Sequence, residues 1–95
     1  MFGGAPNLIL AVVPKGCEVD GSIAACAMEF MAASLGVGAC YIGFGGVGLA
    51  QNPQAREILG LTEDENIAIT LAVGYHKLDY KRTVVRKPAN CVRIP

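Results

Sequence analysis

Two groups of residues carry types and spacing suited to chemistry. One is a glycine cluster, Gly43-Phe44-Gly45-Gly46-Val47-Gly48; the other is a basic run of Lys77, Lys81, Arg82, Arg86, Lys87 and Arg93, opposed after Tyr75 by Asp79 alone. Backbone N–H groups in so glycine-rich a segment can approach a flat or anionic ligand with no Cβ in the way. The basic run reads either as a solvated tail or as a site for phosphate or a partner. His76 is the only histidine, and no serine or cysteine stands beside it to make a nucleophile–base pair. Tyr41, Tyr75 and Tyr80 suit packing better than acid chemistry, and no pair of carboxylates is spaced for hydrolysis. Cys17, Cys26, Cys40 and Cys91 form no CxxC pair and have no histidine at metal-ligand spacing. With this equipment, any enzymatic reaction would be carried by a cofactor.

The elements that must position these groups follow from local signals. Leu8 to Val13 is a continuous apolar run closed by Pro14, which predicts a strand buried on both faces. Asp20 is placed to cap a helix along which Ile23, Cys26, Ala27, Phe30, Met31, Ser34 and Leu35 recur at helical spacing until Gly36. Glu29 is its only charge beyond Asp20, so the helix is expected to be buried nearly all round. Ala39 to Ile42 leaves as a strand and ends in the glycine cluster, expected as a loop. Asn52 at the N-cap, Pro53 at N1 and Gly60 at C′ delimit a short helix with Ala55, Ile58 and Leu59 on its apolar side. Ile67 to Val73 is a third strand, ended by Gly74. The order β-α-β-α-β by itself suggests parallel pairing.

The glycine cluster also satisfies G-x-G-x-x-G after a strand, which raises a dinucleotide-binding module using Gly43 to Gly48. Two features oppose it. A separate helix starts only at Pro53, and the acids Glu63, Asp64 and Glu65 precede a strand instead of ending one.

Composition bounds the rest. A chain of 95 residues makes one domain at most. It is 53% hydrophobic and 17% charged, where about a quarter charged is usual for a soluble domain. Such a surface should be covered by something else, so the chain reads as half of a larger fold or as a subunit of an intimate oligomer. The glycine-rich opening, Met1 to Pro6, likewise looks like the interior of a protein. Net charge is +0, which supplies no field for nucleic acid or an anionic membrane. Cys26 on the helix and Cys40 on the strand read as small hydrophobes, reduced and cytoplasmic. No apolar run approaches the ~20 residues of a membrane span, and Met1 to Val13 lacks the basic segment of a signal peptide.

Six features in order carry a resemblance: Gly3-Gly4-Ala5-Pro6 before an apolar strand; the helix from Asp20; Leu35 to Phe44; Ile58-Leu59-Gly60-Leu61; Val73-Gly74-Tyr75; and Arg86-Lys87-Pro88. Together they resemble the C-terminal half of the nitroreductase family of flavoproteins, over nearly the whole of residues 1–95. The tail from Gly74 to Pro88 is most similar to members with a ferredoxin-like segment ahead of the flavin domain. His76 departs from them, since they usually have proline there. The resemblance implies an α+β, three-layer fold with a mixed, mainly antiparallel sheet and helices around it. It implies a homodimer with FMN in a cleft at the subunit interface. It further implies hydride transfer from NAD(P)H to flavin N5, then reduction of a nitroaromatic or quinone-like acceptor, with a ferredoxin-type donor as the alternative source of electrons. Tyr41, Ile42, Gly43 and Phe44 match the segment along the isoalloxazine, with a backbone N–H of Gly43 or Phe44 facing N5. Arg86 matches the basic residue on the FMN phosphate; Lys87 is a weaker match, and Arg82 weaker still. The family's other half supplies an arginine-rich phosphate motif, polar contacts to the ring and part of the dimer interface. The sequence shows none of these, which leaves open a non-catalytic fragment or assembly module of the same fold.

Overall fold

The computed structural model describes residues 4–95, so Met1–Gly3 of the glycine-rich opening lie outside the described residues. The elements are β1 (Asn7–Pro14), α1 (Glu18–Ser34), β2 (Gly38–Tyr41), α2 (Gly43–Gln51), α3 (Pro53–Leu59) and β3 (Glu65–Gly74). The strands form one sheet in the order β1-β3-β2, and both pairings are antiparallel. The parallel pairing suggested by element order is thus corrected. β1 and β2 do run in the same direction, but β3 lies between them and opposes both.

β3 is the strand buried on both faces: Ile67, Thr70, Leu71 and Ala72 are all buried. β1 was expected to be so as well, yet Ile9 and Val12 are exposed. A continuous apolar run does not say whether both neighbours are present, and β1 is an edge strand of this sheet. Its register with β3 shifts between Ala11, opposite Ile69, and Val12, opposite Ile67. Ala68 is therefore the extra residue of a β-bulge.

The helices occupy both faces of the sheet. A Cβ built on Gly21 of α1 would lie 2.5 Å from Ala68 Cβ and 2.8 Å from Val13 Cγ1. One built on Gly46 of α2 would lie 3.0 Å from Thr70 Oγ1 and 3.3 Å from Ile67 Cγ2. Successive residues Ile67 and Ala68 point to opposite sides of the strand, so α1 and α2 cover opposite faces and the fold has three layers. The bulge lets Ile67 and Thr70, three positions apart, both face α2.

Helix ends follow local chemistry where side chains supply it. Asn52 Oδ1 accepts from Gln54 N at 2.9 Å and Ala55 N at 3.2 Å, Pro53 follows, and Gly60 closes α3 at φ 68°. α1 ends as expected at Gly36, whose N–H donates to Ala33 O while that of Val37 donates to Ala32 O, the paired bonds of a Schellman motif. Its start differs. Glu18 opens the helix after Cys17, and Asp20 lies inside the first turn instead of capping it. Arg56 ties the α2–α3–β3 region together by donating to Ala50 O at 3.1 Å, Thr62 O at 2.6 Å and Glu65 O at 2.9 Å.

Two further expectations of burial are overturned. α1 buries only Gly21 and Ala25, while Val19, Ile23, Cys26, Phe30 and Met31 are exposed. The sheet selects the small residues because only they allow the backbones to approach so closely, and the bulky ones are left outside. In α3, Ile58 is 85% exposed and nothing is buried; Ala55 and Arg56 are the half-buried pair. Tyr75–Pro95 forms no helix or strand and is exposed almost throughout, which raises the radius of gyration to 16.2 Å. A globular chain of this length would have about 13 Å.

Candidate functional site

The glycine cluster forms a helix, not the expected loop. β2 ends at Tyr41, the Ile42 N–H continues the ladder by donating to Thr70 O at 2.8 Å, and α2 starts at Gly43. Four glycines in nine residues would not hold a helix by propensity, which costs roughly 1 kcal/mol for each relative to alanine. Packing of buried Gly45 and Gly46 against the sheet supplies what propensity lacks.

The first intrahelical bond runs from Gly46 N to Ile42 O at 3.3 Å. Among the described residues the N–H groups of Gly43, Phe44 and Gly45 are thus left without backbone acceptors. Ile42 provides no side-chain cap, and α2 carries no acidic residue in its first turn. Phe44 is 89% exposed beside these donors, and open space surrounds the Cβ position of Gly43. The turn therefore presents the exposed donors of Gly43 and Phe44, with an aromatic ring, to a ligand that is flat and electron-rich.

Tyr41 stands at the entrance to this turn. The Glu29 carboxylate beside it, with partial burial and the Cys26 thiol adding to the effect, pushes its phenol up to about 12. The phenol stays protonated and able to donate. On the other side of Ile42 a concavity of about 770 Å³ runs between the strand ends and the tail, lined by Gly38, Cys40, Ile42, Tyr75, His76 and Tyr80 among others. His76 Nε2 lies 3.1 Å from Asp79 Oδ1, both well exposed. A second depression of about 620 Å³ includes Lys15, Gln51, Glu63 and Arg56, but the Arg56 guanidinium is already committed to three backbone carbonyls.

Tyr41, Ile42, Gly43 and Phe44 are thus brought together at the β2–α2 junction. Arg86 and Lys87 are not gathered with them: they lie in the exposed tail and make no ion pair or side-chain hydrogen bond among the described residues. The residue missed from sequence is Thr70, which anchors Ile42 from the neighbouring strand. Nothing local to Ile67–Val73 distinguishes it except that it is the one polar residue in an apolar run.

The dinucleotide fingerprint lacks its fold. The strand after the cluster, β3, runs antiparallel to β2, where the fingerprint needs a parallel crossover. What the geometry defines instead is a three-layer α+β fold with a strand-to-helix junction that offers free N–H groups. A profile of the nitroreductase family matches residues 15–75, and the chain belongs to that family. Among solved structures it is similar to a nitroreductase with bound FMN from Bacteroides fragilis, at 25% identity and a TM-score of 0.76, over 97% of this chain and 54% of that one. An FMN-dependent nitroreductase from Clostridium difficile shares the fold at 23% identity and a TM-score of 0.65, over 84% of this chain and 51% of that one. So does a nitroreductase-like family protein from Bacillus cereus, at 21% identity and a TM-score of 0.69, over 88% and 47%. The chain therefore spans about half the length of the structures it matches. Among curated proteins no sequence matches.

Proposed function

We propose that this chain is the C-terminal portion of a single nitroreductase-like domain, and that it works as part of an FMN-dependent NAD(P)H oxidoreductase. The observation that carries the reading is the first turn of α2. Two of its unpaired N–H groups, those of Gly43 and Phe44, lie in the segment that the family resemblance assigns to the isoalloxazine. FMN held there would supply hydride chemistry at N5, with NAD(P)H or a ferredoxin-type donor as the source of reducing equivalents and a nitroaromatic or quinone-like compound as the acceptor. The chain's own part is to bind and orient. Gly43 and Phe44 would offer N–H groups to the ring, Tyr41 and Ile42 would flank it, and Arg86, with Lys87 as the weaker candidate, would hold the phosphate. A homodimer in the cytoplasm is the expected state; the exposed apolar face of α1 and the reduced cysteines support it. Among the described residues no helix is long and apolar enough to cross a membrane. The resemblance of the tail from Gly74 to Pro88 supports a kinship with the ferredoxin-linked members.

A second reading, a non-catalytic assembly module, is favoured by one observation: Arg86 and Lys87 lie in the tail, away from any partner. An FMN titration of the purified chain, followed by visible absorbance with size-exclusion in parallel, separates the two. Saturable binding with a perturbed flavin band supports the flavoprotein. Arg86→Ala should then weaken FMN by roughly 1.5–3 kcal/mol, since a guanidinium binds phosphate oxygens in a charge-assisted, bidentate way. Absence of binding by a folded chain favours the module.

A further inference from the structure

Thr70 is fully buried, and its hydroxyl oxygen has no hydrogen-bond partner among the described residues. It sits opposite Leu10 on the central strand, so β1 holds it on one side while Ile42 is bonded to it on the other. It reaches α2 at two points. Its carbonyl accepts from Ile42 N at 2.8 Å, and its side chain lies under Gly46, where an added Cβ would come within 3.0 Å of Oγ1. Ile42 and Gly46 are the two ends of one helical turn, joined by the first intrahelical bond. The three N–H groups left free lie between them.

We propose that Thr70 is a positioning residue, whose carbonyl and side-chain bulk fix both ends of the first turn of α2 and so set the depth and direction of the free N–H groups of Gly43, Phe44 and Gly45. The inference concerns the turn itself; its consequence for FMN rests on the function proposed above. Bulk, and not the hydroxyl, is the operative feature, because the hydroxyl makes no bond that a methyl would forfeit. Val and Thr have nearly the same shape, so Thr70→Val retains the lock, and the stability of the chain rises as a buried unpaired oxygen is removed. Thr70→Ala releases the Gly46 end of the turn.

Amide hydrogen exchange on the ligand-free 95-residue chain tests this without reference to any cofactor. In Thr70→Ala, exchange at Gly46 rises about tenfold or more and the Gly43–Gly45 amide resonances move, while the Arg56 amide, bonded to Asn52 O in α3, keeps its rate. In Thr70→Val both stay at their original values. Unchanged exchange at Gly46 in Thr70→Ala overturns the inference. So does a rise shared equally by Arg56, which would mark general loosening, or a Thr70→Val chain that loosens like Thr70→Ala. In parallel, FMN should bind about tenfold more weakly to Thr70→Ala with a shifted absorption band, and Thr70→Val should restore both. If the unaltered chain binds no FMN, the functional reading fails, and the exchange measurement still decides the role of Thr70.

Discussion

The two helices that enclose β3 rest on it in the same way and begin in opposite ways. α1 lies against the sheet at Gly21 and α2 at Gly46. At the start of α1 the chain supplies its own negative charge, with Glu18 and Asp20 in the first turn. The Glu18 carboxyl is held below its usual range by its own backbone N–H and by the Asn66 amide, which donates at 3.2 Å. α3 likewise closes its first turn with Asn52. At α2 there is neither cap nor acid. The difference separates helix ends that are finished within the chain from one that can be finished from outside it.

Substitutions at the two glycines probe the shared part of that comparison, and the largest effect is expected at Gly21. Gly21→Val puts carbon where Ala68 and Val13 already are, so urea unfolding should show a loss of about 3 kcal/mol, the upper range for overpacking. A loss below 1 kcal/mol would mean that α1 can lift from the sheet freely. Next comes the finished end of α3. Asn52→Ala removes the one side-chain oxygen that accepts from two N–H groups and should cost about 1 kcal/mol in the same measurement.

Phe44→Glu sharpens the contrast at α2. A carboxylate in that exposed first turn should stabilise the helix by about 0.3–1 kcal/mol, while its charge excludes an electron-rich ligand. Thermal midpoint should therefore hold or rise as FMN affinity falls, and tight FMN binding by this variant would remove the free N–H groups from the site. The smallest effect is the acid branch of stability. Because folding lowers the Glu18 pKa from 4.5, its contribution is present above that value and is lost as pH falls through the folded pKa. Glu18→Gln should flatten the decline of stability below pH 4.5, and an unchanged acid branch would remove Glu18 from it.

What could be read from the sequence was what short segments decide for themselves. Asn52, Pro53 and Gly60 mark α3 because each contributes through its own backbone or side chain, and Ile67–Val73 reads as a buried strand because its apolar run is continuous. The glycine cluster reads as a loop because its helix is stabilised by Thr70 and Ile67, which come some twenty residues later in the chain. α1 is apolar on nearly every side, so periodicity indicates no preferred face; the contact at Gly21 decides it, and leaves Ile23 and Phe30 outside. For the site, the glycine cluster from Gly43 and the basic run that includes Arg86 and Lys87 stand out by residue type, whereas the places of Tyr41 to Phe44 along a flavin and of Arg86 and Lys87 on its phosphate come from the resemblance. Thr70 could not be found by either route, since its role depends on which strand lies beside Ile42.

The strand order has a consequence for how the chain comes to be folded. β1 and β2 are not hydrogen-bonded neighbours; among the described residues each pairs with β3, the last of the six elements in the chain, and Asn7 waits for Val73. A ribosome that has released everything up to Gly60 has exposed two strands whose partner within this chain is not yet made, together with the apolar surface of α1. Contacts so distant in sequence slow folding. The nascent chain should therefore depend on chaperones until Glu65–Gly74 emerges, and both strand pairings can form only then.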